Sequence, residues 1–245
     1  MKKFNNIKKR YFITGTDTGA GKTVLSLLMM HVLFNNGYNP FYLKPLQTGC
    51  NNPLDIESDA NFIYKNIKQL KKNDPADSVI FCFKNPKAPW FAARDEKKKI
   101  DKQIIKKCVY EKSAAYSPVI IEGAGGLLVP VDEKKTQMID LIDLTQSTPV
   151  ITARAGLGTI NHTLLTIEAL RIRGIKPCGI LFFDTENKQP ADNEMIKENI
   201  EAVETASGIE VKGVIGKIND FSDPFSDPFS NQGEKNLKII EKIFA

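Results

Sequence analysis

The chain is sparing with cysteine and has no long apolar run. Its four cysteines, Cys50, Cys82, Cys108 and Cys178, are scattered through 245 residues, and no pair has the close spacing of a zinc or dithiol site. A disulfide framework is excluded, and the plain expectation is reduced, buried thiols in a cytoplasmic protein. No apolar stretch approaches membrane-spanning length, so no membrane partner is expected. The basic segment Lys2, Lys3, Lys8, Lys9, Arg10 runs straight into a strand pattern without a signal-type apolar region, so secretion is not expected either. The net charge of +5 is modest. Lysines such as Lys97, Lys98, Lys99, Lys106 and Lys107 lie beside Glu96 and Asp101 and read as a solvated face. They lack the interleaved aromatics and the motifs of a nucleic-acid surface, so no nucleic-acid partner is expected.

What is present is a rhythm. Apolar runs of strand length recur at Tyr11–Thr14, Phe41–Leu43, Val79–Phe83, Val119–Ile121, Val150–Thr152, Cys178–Phe183 and Val211–Ile215, with helix-patterned segments between most of them. Several runs are apolar at nearly every position, as strands covered on both faces require. The expected fold is α/β: a doubly wound, mostly parallel sheet with helices on both faces, built as one domain over residues 1–245. Phe221-Ser-Asp-Pro-Phe-Ser-Asp-Pro-Phe-Ser230 is too rich in proline for a strand or helix. It marks a turn-rich surface loop at about 219–232, ahead of a last helix over Lys235–Phe244.

The first crossover carries Gly15-Thr-Asp-Thr18-Gly19-Ala20-Gly21-Lys22-Thr23-Val24 between a strand and an apolar helix. This is a phosphate cradle. Glycines let successive backbone N–H groups converge on phosphate oxygens, a lysine reaches the outer phosphates, and a threonine hydroxyl suits Mg²⁺. The helix start adds partial positive charge. Because Thr16 stands where a standard loop has glycine and Gly15 precedes it, the loop is one residue longer. A nucleoside triphosphate is the expected ligand, on a fold of the P-loop NTPase type.

Ligands of open parallel sheets collect beyond the carboxyl ends of the strands. After strand two come Lys44-Pro45 and Thr48-Gly49, the lysine emerging beside a proline-stiffened turn. Ser58-Asp59-Ala60 opens a helical segment; alone, Asp59 reads as its N-cap, with a Mg²⁺ ligand as the other reading. Glu122-Gly123-Ala124-Gly125-Gly126 closes an apolar strand with a carboxylate where P-loop proteins hold the metal or its water shell. Gly156-Leu-Gly158-Thr159-Ile160-Asn161-His162 leads into another helix whose free N–H groups suit a carboxylate or phosphate. His162 is given no role.

In this order, these motifs resemble dethiobiotin synthetase, over most of the chain. The resemblance implies an ATP-dependent cyclo-ligase of biotin synthesis that turns 7,8-diaminopelargonate, CO₂ (or bicarbonate) and ATP into dethiobiotin, ADP and phosphate with Mg²⁺. It implies Lys44 on a carbamate, Lys22 bridging the β- and γ-phosphates and Thr18 beside the γ-phosphate. Thr23, Asp59 and Glu122 would hold Mg²⁺, while Gly19, Ala20, Gly21, Val24, Gly123, Ala124 and Gly125 would complete the nucleotide site. Thr48 would meet the substrate amines. Gly158, Thr159, Ile160 and Asn161 would receive the substrate carboxylate across the interface of a homodimer. Phe183 stands where the family carries an adenine-reading asparagine, which implies weak nucleobase selectivity unless Asn187 or Asn219 reads the base. The rival class is a partitioning or positioning ATPase switch. Such proteins carry a further lysine near the start of the loop, where Gly15, Thr16 and Asp17 offer none.

Overall fold

The computed structural model describes residues 4–184, 194–226 and 231–245. Strands β1 (Arg10–Gly15), β2 (Phe41–Thr48), β3 (Val79–Phe83), β4 (Val119–Glu122), β5 (Thr148–Arg154), β6 (Gly179–Phe183) and β7 (Val211–Ile215) form a single sheet in the order β3-β2-β4-β1-β5-β6-β7. Every pairing is parallel. The described helices are α1 (Lys22–Asn35), α2 (Asp59–Asn66), α3 (Pro89–Asp95), α4 (Lys102–Ala115), α5 (Met138–Thr145), α6 (Thr159–Ile172), α7 (Glu194–Ser207) and α8 (Gln232–Glu241).

Two cores follow from the period of a strand. Successive residues of β1 point to opposite faces, so Tyr11 and Ile13 join the core under α1, α2 and α8, while Phe12 joins the one under α3 to α7. Both faces are covered, and the doubly wound arrangement expected from the sequence is the one found. Helix α1 is enclosed further: Leu25, Leu27, Leu28, Met29, Met30, Val32 and Leu33 are all fully buried. A helix apolar all round has to be wrapped on all sides, and here α2, α8 and the loop before α8 do the wrapping.

Three local expectations change. Strand β2 does not stop at Leu43 but runs on to Thr48. It bonds β4 through Phe41, Tyr42 and Leu43, then β3 through Lys44, Leu46, Gln47 and Thr48, skipping Pro45, which has no N–H to offer. Lys44 is therefore a strand residue, not a turn residue. The phenylalanine-rich loop is anchored rather than free on the surface: the Phe221 ring packs edge-on against Phe62 at 5.1 Å, and Pro224 is buried. Its residues 227–230 lie outside the described residues, and the final helix begins at Gln232. Among the free thiols only Cys50 is fully buried, the other three being partly buried. The fold brings two cysteines distant in sequence together, Cys50 and Cys82, with their sulfurs 3.4 Å apart. Burial pushes the Cys50 thiol up to about 12, so it is no nucleophile at neutral pH.

His31 ties α1 to that anchored loop. The ring is 8% exposed and its Nε2 lies 3.1 Å from the Phe221 carbonyl oxygen. Burial pushes its pKa below the ordinary 6.5, against the pull of the Phe221 carbonyl, Asp223 and Asp220. The folded state thus favours the neutral ring. Below pH 6.5 the unfolded chain takes up a proton that the folded chain resists, so stability falls as pH drops through that value. Denaturant unfolding at about pH 7 and about pH 5.5 is expected to register this loss, and H31Q to shrink it; an H31Q protein with the same pH loss would contradict the assignment.

Candidate active site

The carboxyl ends of β1, β2 and β4 meet over a cleft of about 600 Å³. β1 feeds the phosphate loop. Gly21 takes φ 94°, and a Cβ there would lie 2.6 Å from the Phe183 ring at the end of β6, so only glycine fits between loop and sheet. Lys22, the first residue of α1, curls back and donates from Nζ to the Asp17 carbonyl oxygen at 2.9 Å, bracing the loop from inside.

Sheet register builds the other half. Tyr42 faces Ile120 and Leu43 faces Ile121, so one step further Lys44 comes level with Glu122 on the same face as Tyr42. Its ammonium has three donors and finds three acceptors: Glu122 Oε1 at 2.7 Å, Asp59 Oδ2 at 2.8 Å and the Gly123 carbonyl oxygen at 3.1 Å. The Thr23 hydroxyl lies 3.0 Å from Asp59 Oδ1 and 2.9 Å from Glu122 Oε1. Asp59 reaches in from the first turn of α2. The cap of that helix is Ser58, whose side chain accepts from the Asn61 N–H, which corrects the reading of Asp59 as the cap. The freed Asp59 carboxylate is available to the site.

Charge follows geometry. Burial opposes a charged Lys44, yet Asp59 and Glu122 outweigh it and hold the ammonium above its ordinary pKa. Asp59 is only partly buried, and Lys44 and Thr23 pull its carboxyl below the usual range against the opposing effect of desolvation. Among the described residues Lys22 has no carboxylate so near; burial, then repulsion from Lys44, lowers it to about 8.

A family model described as AAA domain matches residues 9–224. Among curated relatives, an ATP-dependent dethiobiotin synthetase from Hydrogenobaculum is 36% identical over 199 residues, covering 77% of this chain and 86% of that protein. One from Methanococcus vannielii is 34% identical over 212 residues, covering 86% and 94%. This chain belongs to the dethiobiotin synthetase family. Solved structures similar in shape include the MinC:MinD cell division protein complex of Aquifex aeolicus, with a TM-score of 0.58 at 15% identity over 96% of this chain and 94% of that one. Another is a ParA family ATPase of Chlorobium tepidum, with a TM-score of 0.58 at 12% identity over 98% and 99%. At such identities these likenesses establish the fold alone, and they leave the synthetase family, not the partitioning switch, as the one the sequence belongs to.

Of the residues expected for a synthetase site, Thr18, Gly19, Gly21, Lys22, Thr23 and Val24 line the cleft from the loop side. Lys44, Thr48, Asp59, Glu122, Ala124 and Gly125 line it from the β2 and β4 side. Ala20 is buried beneath the loop, and Gly123 contributes its carbonyl oxygen to Lys44. Gly158, Thr159, Ile160 and Asn161 are not brought into this cleft; they start α6, with Gly158 and Asn161 exposed. Phe183 is buried against Gly21, so its ring is part of the loop's floor. Asn187 lies outside the described residues, and Asn219 is exposed.

Several participants were missed from sequence. Gln47 accepts from the Asp59 N–H at 3.1 Å, Tyr42 donates to Glu122 Oε2 at 2.9 Å, and Arg154 at the end of β5 donates to the Thr18 carbonyl oxygen at 3.2 Å. The Pro86–Pro89 segment after β3 walls the cleft. Inspection of every strand end would have flagged Arg154 and Pro86; Tyr42 and Gln47 lie inside β2 and gave no such signal.

Removing one partner of a buried pair leaves the other charge stranded, at a cost of about 3–5 kcal/mol. K44M should therefore lower unfolding stability by roughly that amount in ligand-free buffer, with Glu122 as the stranded group. A loss within about 0.5 kcal/mol, as for a surface change, would contradict the burial of this pair.

Proposed function

We propose that this chain is an ATP-dependent dethiobiotin synthetase that carries out its reaction in the cleft between the phosphate loop and Lys44. It joins CO₂ and 7,8-diaminopelargonate in a cyclic urea at the expense of ATP. The single observation that carries the reading is the position of Lys44: a buried ammonium on the sheet floor, in the same cleft as Lys22 and Thr23, where the terminal phosphoryl group would meet a carbamate.

In this reading an amine of the substrate adds to CO₂ and loses a proton, giving a carbamate. A carbamate oxygen attacks the γ-phosphorus and ADP departs; the second amine then attacks the carbamoyl carbon and expels phosphate as the ring closes. No protein nucleophile is required. The chain's task is to hold mutually repelling anions in line and to stabilise the charge that develops. Lys22 would bridge the β- and γ-phosphates, with the Thr18 side chain beside the γ-phosphate. Lys44 would exchange a carboxylate partner for the carbamate oxygen, and Thr48 would face the amines. The backbone of Gly19, Ala20, Gly21, Lys22, Thr23 and Val24, with Gly123, Ala124 and Gly125 opposite, would complete the nucleotide site.

Mg²⁺ fits the donors present. Thr23, Asp59 and Glu122 offer hard oxygens around one point. Among the described residues no group of three His, Cys, Asp or Glu side chains forms a metal cage, consistent with an ion completed by phosphate oxygens and water. When bound, Mg²⁺ neutralises charge on the β- and γ-phosphate oxygens.

We further propose a homodimer, in which the start of α6 at Gly158, Thr159, Ile160 and Asn161 receives the substrate carboxylate. Supporting it are exposed apolar residues on and beside that helix, Leu157 at 94%, Leu165 at 61% and Ile172 at 82%. A cytoplasmic setting agrees with four free thiols. Among the described residues no helix is long and apolar enough to cross a membrane.

Phosphate release is expected to require both the diamine and bicarbonate, and the absence of that requirement would defeat the reading. K44Q should retain nucleotide binding while losing nearly all turnover, because its charge is placed for the carbamate and not for the nucleotide. Because Phe183 offers the base no hydrogen bond, GTP at equal concentration should compete measurably with ATP; complete exclusion of GTP would show that other residues read the base.

A further inference from the structure

Tyr42 is a phenol in a place that asks for a plain hydrocarbon. Its side chain is 1% exposed, set in the core under α1 and α2 among Ile120, Tyr64 and Leu28. A buried tyrosine has to find an acceptor for its O–H, and this one finds Glu122 Oε2 at 2.9 Å. The register explains the reach: Tyr42 sits opposite Ile120, and Glu122 is two residues further on the same face.

The two oxygens of Glu122 are thereby divided. Oε1 faces the cleft, taking Lys44 at 2.7 Å and Thr23 at 2.9 Å. Oε2 faces inward, and among the described residues Tyr42 is its one hydrogen-bond donor. The terminal torsion of a glutamate is broad and soft, and contacts to Oε1 alone leave the carboxylate free to turn about that oxygen, so the donor on Oε2 is what fixes its plane. The backbone that carries the tyrosine is itself held, since Ser78 donates to its carbonyl oxygen at 2.6 Å.

Resting on the synthetase reading above, we propose that Tyr42 is a positioning residue for the Mg²⁺ site: its O–H pins Oε2 of Glu122 so that Oε1 is presented to the ion beside Thr23 and Asp59. Outer partners of metal-binding carboxylates typically change metal affinity by about 10–100-fold when lost. Tyr42 acts only through Glu122 and touches neither nucleotide loop nor cleft. It should therefore affect the metal and leave metal-free nucleotide binding alone.

The test compares wild type, Y42F and Y64F, the last removing a neighbouring buried hydroxyl that does not reach Glu122. The affinity of a non-hydrolysable ATP analogue is measured with and without Mg²⁺. Y42F is expected to shrink the Mg²⁺-dependent gain about tenfold, with Mg²⁺-free affinity unchanged and Y64F like wild type. An unchanged gain in Y42F, or an equal loss in Y42F and Y64F, would overturn the assignment of Tyr42 while leaving the synthetase reading in place. A wild-type protein whose analogue affinity gains nothing from Mg²⁺ would overturn both. Should Y42F not fold, a fluorine label on the Tyr42 ring of the otherwise intact chain decides the matter. Its resonance should move when Mg²⁺ joins the analogue-saturated protein, and the same label on Tyr64 should not; a silent Tyr42 label would overturn the assignment.

Discussion

One ammonium group organises the centre of this molecule. Lys44 lies inside a strand, shut away from water, with a carboxylate on either side of it and a carbonyl oxygen in front. Each of the three charges would be costly alone. Held together at hydrogen-bond distance they are mutually satisfied, and their positions then dictate those of their neighbours. Asp59 has to come from the start of α2, Glu122 has to end β4, and Thr23 has to open α1 close enough to reach both acids. Three crossovers thus converge on one cation. The same grouping places two cations, Lys44 and Lys22, in one cleft, an arrangement suited to bringing anions together.

The neighbours in shape make the point from another direction. MinD and ParA family proteins share the layers of this chain at low identity, so the sheet and the phosphate loop say what is bound far better than what is made. What separates a synthetase from a switch therefore has to lie in side chains rather than in the layers.

Much of this was legible in the residues. Runs such as Val119-Ile-Ile121 and Val150-Ile-Thr152 are apolar at consecutive positions because both faces of the sheet are covered, and that pattern revealed a parallel, doubly wound fold. The loop from Gly15 to Thr23 was legible because glycine, lysine and threonine are each demanded by phosphate chemistry. Ambiguity entered where one residue type serves two purposes. Asp59 could cap a helix as well as Ser58 can, and only three-dimensional structure reveals that serine took the backbone bond. Pro45 reads as a turn, yet a strand that changes partners there loses nothing by lacking one N–H. Tyr42 was invisible because an aromatic in a buried strand is ordinarily packing, and its acceptor is distant in sequence.

The change of partners along β2 has a wider consequence. Because β4 ends at Glu122 while β2 continues along β3 for several residues more, the sheet has a seam there, and the cavity is the mouth of that seam rather than a hollow carved into the surface. Its depth is counted in residues: each residue by which one strand outruns its neighbour lowers the floor by a strand step. Lengthening or shortening β4 would therefore re-gauge the chamber for a larger or smaller guest, and would carry Glu122, the last residue of that strand, along with its rim.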